Sequence, residues 1–307
     1  MTVSVRNLTK RYGRTLAVND VSFDVAPGKV TGFLGPNGAG KSTTLRSIVG
    51  LDFPTTGEAR IDGSKYIELK APLHEVGTLL DAKAAHRSRR AVDHLRWIAA
   101  THGIRRSRID EVMDIAGLTS VAKKKVGGFS LGMGQRLGIA AALLGDPGTL
   151  ILDEPVNGLD PDGVTWIREL LRGFAAEGRT VFLSSHLLGE LSLIAEHIVV
   201  IGQGKIIADA PLDQLVQTSS VVRVRTPDVA RLAALVAGPG IMTTTAAPDH
   251  LEIEGLPVEQ IAQIAAREQV VVYGIGQVTR TLEDAYNDLT RGAVQYAPQD
   301  AESANHV

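Results

Sequence analysis

The chain has 307 residues, of which 44% are hydrophobic and 21% are charged, so a sizeable core is expected and wholesale disorder is excluded. A net charge of −2 gives no indication that nucleic acid is the main partner. The absence of cysteine excludes disulfides and thiolate zinc sites, and it suits the cytosol. No apolar run reaches the ~20 residues that a membrane helix needs, so we do not expect the chain itself to cross a bilayer.

The first 80 residues predict short strands separated by turns. Residues 1–8 predict a strand and not a signal peptide, because no basic start precedes an apolar run. Further strands are predicted over residues 21–25, 30–34, 58–61 and 75–80. A helix is predicted from residue 44, directly after a glycine-rich stretch.

That glycine-rich stretch fits G-x-x-x-x-G-K-[ST] and lies between a strand and a helix, as a phosphate-binding loop requires. Glycines let the backbone turn with positive φ, and the N–H groups at the helix start attract phosphate oxygens. Lys41 is predicted to neutralise the β- and γ-phosphates, and Ser42 to offer its hydroxyl to Mg²⁺. An ordinary glycine-rich turn is the alternative. The predicted nucleotide-binding residues here are Gly35, Pro36, Asn37, Gly38, Ala39, Gly40, Lys41, Ser42 and Thr43.

Strand patterns disappear between residues 82 and 147, where helical spacing such as Ile109 and Val112 replaces them. We interpret this segment as a helical subdomain inserted into an α/β core. In its first half Asp93 is the single acidic residue, and all the other charged residues are basic. The basic residues are Lys83, Arg87, Arg89, Arg90, Arg96, Arg105, Arg106 and Arg108. Such a run indicates either a solvated helix face or a docking surface.

Apolar strands alternate again with helices from residue 149, which predicts a largely parallel sheet covered on both faces. The strands are predicted over residues 149–153, 180–184 and 198–201, and the helices over residues 161–176 and 188–195. The first of these strands ends in two carboxylates. Asp153 is expected near a Mg²⁺ beside the phosphate loop, and Glu154 is placed to take a proton from an attacking water.

A small α+β domain is predicted over residues 219–290, after a first domain of residues 1–215. Its strands are predicted over residues 221–225, 251–254 and 270–273, and its helices over residues 229–236, 258–266 and 281–289. Residues 291–307 are polar and are predicted to be disordered.

Taken in order, these motifs make residues 1–215 resemble the nucleotide-binding subunits of ABC transporters. Beside the phosphate loop (Walker A), the chain contains motifs similar to the signature at 130–135, the Walker B strand at 150–153 with Glu154, the D-loop at 157–160 and the switch histidine, His186. Tyr12 lies where the family places an aromatic that stacks on adenine. The resemblance implies a P-loop NTPase core that binds and hydrolyses ATP with Mg²⁺.

The resemblance also implies a head-to-tail dimer with two ATP at the interface. Ser130 and Gly132 open a helix, so their N–H groups suit a γ-phosphate, which in this family belongs to ATP on the second copy. Asp160 would lie at the subunit contact. Glu154, His186 and Lys41 are the implied catalytic residues.

Two features depart from the family's pattern. The family usually has a Gln between the core and the helical subdomain, and by position Asp81 replaces it, since the first Gln of the chain is Gln135. We therefore assign Asp81, with Ser42 and Asp153, to the metal. The signature has Leu131 and Met133 where Gly and Gln are typical.

The short form of the signature, the acidic replacement at Asp81 and the appended C-terminal domain resemble the drug- and antibiotic-exporter ATPases, those similar to daunorubicin-resistance subunits. This implies a homodimer at the cytoplasmic face of the membrane, docked on a separate permease, with no nucleic-acid partner. The alternatives are a soluble ABC ATPase acting on ribosomes or nucleic acid, and a non-hydrolysing nucleotide binder. Import is the alternative direction of transport.

Overall fold

The structure is a computed structural model and describes residues 1–217 and 220–279. The chain forms two compact units, of which the first contains Met1–Leu212 and the second begins at Asp213. The predicted helix over 281–289 and the predicted disordered tail lie outside the described residues. No helix in the described ranges is long and apolar enough to span a membrane.

The elements of the first unit follow the predicted alternation. Its strands are β1 (Val3–Tyr12), β2 (Thr15–Val25), β3 (Val30–Leu34), β4 (Thr56–Ile61), β5 (Val76–Leu79), β6 (Thr149–Leu152), β7 (Thr180–Ser185), β8 (His197–Gly202) and β9 (Lys205–Pro211). Its helices are α1 (Lys41–Ile48), α2 (Pro72–Glu75), α3 (Ala91–Thr101), α4 (Arg106–Ile115), α5 (Leu131–Leu143), α6 (Pro161–Ala176) and α7 (Leu188–Ser192). A further helix, α8 (Leu212–Gln217), follows at the boundary between the units, and single 3₁₀ turns lie at Tyr66–Glu68, Thr119–Val121 and Val126–Gly128.

A mixed sheet of strand order β5-β6-β7-β3-β8-β9 forms the centre of this unit, and only its last pair, β8 with β9, is antiparallel. Every residue of β3, β6 and β7 is buried, because helices such as α6 and α7 cover one face of these strands and α1 with a second sheet covers the other. The α/β class predicted from the continuous apolar runs is confirmed. In parallel sheets, ligands bind beyond the carboxyl ends of the strands. The loops after β3, β5, β6 and β7 meet at that edge.

A smaller antiparallel sheet of order β2-β1-β4 packs on the central one. The rings of Phe23, Phe33 and Phe182 join the two sheets, with centroids 5.4–5.5 Å apart. Residues 82–147 hold α3, α4 and α5 and no named strand, as the sequence predicts. Ile109, Val112 and Met113 are buried on α4.

The second unit is a β-α-β-β-α-β arrangement. Its elements are β10 (Ser220–Arg225), α9 (Val229–Val236), β11 (Met242–Ala247), β12 (His250–Glu254), α10 (Val258–Arg267) and β13 (Gly274–Thr279). The strands pair antiparallel in the order β11-β12-β10-β13, which is that of a ferredoxin-like sheet. The alternate residues Val222, Val224, Leu251 and Ile253 form its core with Leu232 of α9 and Ile261 of α10.

The strand predicted over residues 270–273 is wrong. Val270 instead packs into the core of the second unit, and pairing with β10 starts only at Gly274, opposite Arg225. Two glycines make β13 unlike a strand in sequence. The edge strand β11 (Met242–Ala247) was not predicted. Almost all of its residues are exposed, so its sequence lacks the alternation of apolar and polar residues that marks a half-buried strand.

Candidate active site

The loop after β3 leads directly into α1, whose first turn has no acidic residue. Gly40 caps this helix with φ 106°, and a Cβ there would lie 2.6 Å from the Ala17 carbonyl, so only glycine fits. Gly38, with φ 81°, has open space where a Cβ would point. The loop is therefore a cradle with a positive helix end at its base, which is suited to an anion.

Lys41 is the first residue of α1 and is only 7% exposed. Its Nζ donates to the Gly35 carbonyl at 2.7 Å and lies 3.5 Å from Oε1 of Glu154. Burial lowers the pKa of Lys41, and the Glu154 carboxylate opposes that shift. A buried ammonium at the base of the cradle gains from a further negative ligand, because one carboxylate incompletely offsets its desolvation.

The Glu154 carboxylate lies between two other predicted site residues. Its Oε2 accepts from Nδ1 of His186 at 2.8 Å, while its Oε1 faces Lys41. These residues follow β6, β7 and β3, which are neighbours in the sheet. The structure thus brings together three residues that are far apart in sequence.

Asp153 and Glu154 are both held by Ser184 of β7. The Ser184 hydroxyl donates to Oδ1 of Asp153 and accepts from the Glu154 backbone N–H at 3.0 Å. Glu190 on α7 adds a nearby carboxylate, and burial raises the pKa of Glu190. The end of β6 is therefore a fixed carboxylate pair supported by its neighbouring strand.

The signature residues open α5 as predicted. The Ser130 hydroxyl oxygen caps this helix by accepting from the Met133 N–H at 3.2 Å. A Cβ on Gly132 would lie 2.8 Å from the Gly158 carbonyl, so the signature packs closely on the loop after β6. Asp160, in the same loop, caps α6 by accepting from the Gly163 N–H at 2.9 Å.

Tyr12 is 45% exposed at the end of β1. Its hydroxyl donates to Oδ2 of Asp52 at 2.7 Å, and the same oxygen accepts from Nε of Arg46 at 2.7 Å. The hydrogen bonds from Arg46 and Tyr12 lower the pKa of Asp52. The ammonium of Lys10 lies 4.9 Å from the centre of the Tyr12 ring. The ring is consequently fixed at its hydroxyl end.

Asp81 is exposed two residues beyond β5, and its Oδ1 accepts from the Lys83 N–H at 2.7 Å. Within residues 1–217 and 220–279, no three His, Asp or Glu side chains form a group that could hold a metal ion. Mg²⁺ is usually held by one or two carboxylates together with phosphates and waters. Asp153 at the strand end and the exposed Ser42 at the start of α1 fit that donor set.

Two residues of this site were given no role from the sequence. Ser184 was predicted only as part of a strand and of the segment leading to His186, and Gln135 only as the last residue of the signature. Gln135 is buried and donates to the carbonyls of Glu154 and Asn157. No local signal in the sequence distinguishes them, since β7 also contains Thr180 and Ser185 and α5 also contains Arg136.

Comparisons with known proteins agree with the motifs. The profile of the ABC transporter family matches residues 18–157, and one described as a domain of unknown function matches residues 220–283. The bacitracin transport ATP-binding protein BcrA of Bacillus licheniformis is 42% identical over 216 residues, which are 69% of this chain and 71% of that protein. The chain belongs to the ABC transporter ATP-binding proteins. The resemblance seen in the sequence is confirmed.

Other relatives of this ABC ATPase extend the comparison. The lantibiotic transport ATP-binding protein SrtF of Streptococcus pyogenes is 37% identical over 211 residues, 69% of this chain and 91% of that protein. The dimeric structure of the cassette MJ0796 in a post-hydrolysis state, bound to ADP and Pi, is 27% identical. It superposes with a TM-score of 0.63 over 68% of this chain and 98% of that one. The cassette fold and ATP hydrolysis are thus shared features.

Proposed function

We propose that this ABC ATPase powers an exporter of antibiotic-type molecules through a separate membrane permease. The observation that carries the proposal is the Glu154 carboxylate, which is held between Lys41 and His186 at the edge of the sheet. Transport of bacitracin and of a lantibiotic is named for BcrA and SrtF, and the cargo class is taken from them. The protein would act at the cytoplasmic face of the membrane.

In this proposal, the phosphates of ATP lie in the cradle and contact the Lys41 ammonium. Ser42, Asp153 and Asp81 would hold Mg²⁺, and that ion would supply positive charge to offset the charge of the phosphate oxygens. Glu154 accepts a proton from the attacking water, and the His186 N–H keeps its carboxylate turned toward that water. The residues at this edge would thus supply the phosphate cradle, the metal ligands and the general base, and the remaining contact to the γ-phosphate is proposed to come from a second copy.

We propose that two copies form a head-to-tail dimer. Ser130 uses its oxygen lone pair as a helix cap, so its O–H is still able to donate to a phosphate. The first turn of α5 holds no acidic residue, and its N–H groups suit the γ-phosphate of the second copy. Asp160 lies beside these residues at the proposed subunit contact.

The basic helical segment is the proposed side that meets the permease and the acidic headgroups near it. Trp97 on α3 is 57% exposed, and the guanidinium of Arg89 lies 4.9 Å from the centre of its ring. Some of the charges are paired within the segment, as in Arg96 with Asp93 and Arg108 with Glu111. An exposed tryptophan flanked by arginines is a common composition for a protein interface.

Tyr12 is the proposed adenine platform, and its two substitutions should differ. Tyr12→Ala removes the ring, and we expect the Kd of ATP to rise about 10-fold. Tyr12→Phe keeps the ring and loses only the bond to Asp52, so about a twofold rise is expected. Equilibrium binding of ATP to both variants measures this. Wild-type affinity in Tyr12→Ala would remove the residue from the nucleotide site.

The proposed function is tested by two measurements on the full chain. The purified protein should hydrolyse ATP, which separates it from a non-hydrolysing binder. A tagged copy expressed in its own cells should co-purify from detergent-solubilised membranes with a protein of several apolar spans. Recovery with ribosomes or nucleic acid, and no membrane protein, would instead support a soluble ABC ATPase.

A further inference from the structure

Gln135 is a buried polar residue on α5, five positions after Ser130, and it is 5% exposed. Its Nε2 donates to the backbone carbonyl of Glu154 at 3.0 Å and to that of Asn157 at 3.2 Å. Both partners are carbonyl oxygens, which only accept, so the chemistry itself requires the NH₂ group to face them. The signature helix is thereby tied to the loop that follows β6.

The oxygen of the same side-chain amide lowers the stability of the fold. Its Oε1 is buried and has no hydrogen-bond partner in the described part of the chain. A buried acceptor without a partner is destabilising, and an apolar side chain would avoid that cost. The stabilising contribution of Gln135 therefore comes from the two hydrogen bonds that its NH₂ group donates.

The peptide groups on both sides of Glu154 are held by side chains from different elements. The Glu154 N–H donates to Ser184 of β7 at 3.0 Å, and the Glu154 carbonyl accepts from Gln135 of α5. Between these two peptide groups, Glu154 has φ 49°, a left-handed backbone conformation that residues other than glycine rarely adopt. Such a backbone persists only where its surroundings hold it. The direction of the Glu154 carboxylate depends on this backbone.

We propose that Gln135 is a positioning residue for the Glu154 carboxylate. This rests on the proposed function of Glu154 in hydrolysis. Ser130 caps the same helix, so a movement of α5 when its start meets the ATP of a second copy carries the Gln135 amide with it. The amide then moves the Glu154 peptide group. Contact at the signature of one chain is thereby linked to the hydrolytic carboxylate of that same chain.

The test is Gln135→Met, which keeps the length of the side chain and removes both donated bonds. We expect kcat to fall about 10-fold or more, because small misplacements of a reacting group have large effects on rate. The Kd of ATP should change less than about twofold, since Gln135 lies outside the cradle. Arg136→Met is the matched control. Arg136 is the next residue on α5 and donates to the Ala116 carbonyl, away from Glu154.

A double variant separates positioning from a general effect on the fold. In a Glu154→Gln background, Gln135→Met should lower the residual turnover by less than about twofold, because both changes act through one carboxylate. The inference would be overturned if the double variant lost turnover by the product of the two single losses. It would also be overturned if Gln135→Met had the same kcat as Arg136→Met. If Gln135→Met does not fold, Gln135→Asn keeps the amide but shortens its reach, and the same fall in kcat is expected. Near-normal turnover in Glu154→Gln alone would instead defeat the proposed function.

Discussion

Replacing Glu154 by Gln should lower ATP turnover by about 10²-fold or more while ATP still binds. Gln has almost the same shape as Glu, and its amide oxygen can still accept a hydrogen bond from the His186 N–H. It lacks the basicity needed to accept a proton from water. Steady-state turnover together with equilibrium ATP binding measures the two effects separately.

The matched control for this variant is Glu190→Gln. Glu190 is a carboxylate near the same edge, and its Oε2 lies 3.5 Å from the Ser185 hydroxyl, away from Lys41. We expect its turnover to change less than about threefold, since it influences Glu154 and His186 through its charge and its hydrogen bond goes to Ser185. Near-normal turnover in Glu154→Gln, or an equal loss in both variants, would remove Glu154 from its proposed role.

Replacing Lys41 by Met should weaken ATP binding by roughly 10²–10³-fold, the range expected when one partner of a buried charge pair is removed. The change removes the ammonium from the base of the cradle and leaves the Glu154 carboxylate facing the phosphates. Repulsion therefore adds to the lost attraction. Equilibrium binding of ATP, with a melting curve to confirm folding, makes the measurement.

Lys29→Met is the control for Lys41→Met, because it removes the same charge from an exposed position before β3. Its ATP affinity should change less than about twofold, because an exposed surface charge is screened by salt and contributes little to binding in the cradle. A Lys41→Met protein that binds ATP as tightly as Lys29→Met would contradict the assignment of the loop.

The sequence predicts those parts of the site that are local in the chain. The loop from Gly35 to Thr43 is identifiable because its glycines, its lysine and the strand and helix around it lie within one continuous stretch. Glu154 was predicted from a strand that ends in two carboxylates and His186 through the family resemblance, and their meeting depends on the order β6-β7-β3. That order comes from pairing between distant strands, which no local pattern contains.

Ser184 and Gln135 show what the sequence leaves out. They hold the Glu154 backbone from positions 30 and 19 residues away in the chain. Their importance is visible only as hydrogen bonds across the fold. The wrongly placed strand at residues 270–273 has a similar cause. Burial alternates there as in a strand, with Val270 buried and Val271 52% exposed, but pairing with β10 begins only at Gly274.

Asp160 and Ser130 were predicted from the resemblance as residues that meet a second copy or its ATP. The structure adds a local reason for each, since both side chains cap the helix that follows them. Helix capping and ligand binding use the same helix end, so one role does not displace the other. Their intermolecular roles stay predictions.

The central claim is that each nucleotide site is completed by a second copy, and a mixing experiment tests it directly. One protein carries Lys41→Met, which disables its loop but leaves its signature intact. The other carries Ser130→Asp, which keeps a residue able to cap α5 but puts a negative charge where the γ-phosphate is proposed. Each alone should be inactive. In a head-to-tail dimer of the two, one site combines the intact loop with the intact signature.

The measurement is the ATP turnover of the equimolar mixture. We expect recovery to about a quarter of the wild-type rate, since half of randomly formed dimers are mixed and each has one intact site of two. A mixture as inactive as its two parents, although sedimentation shows that mixed dimers form with ATP, would contradict the account.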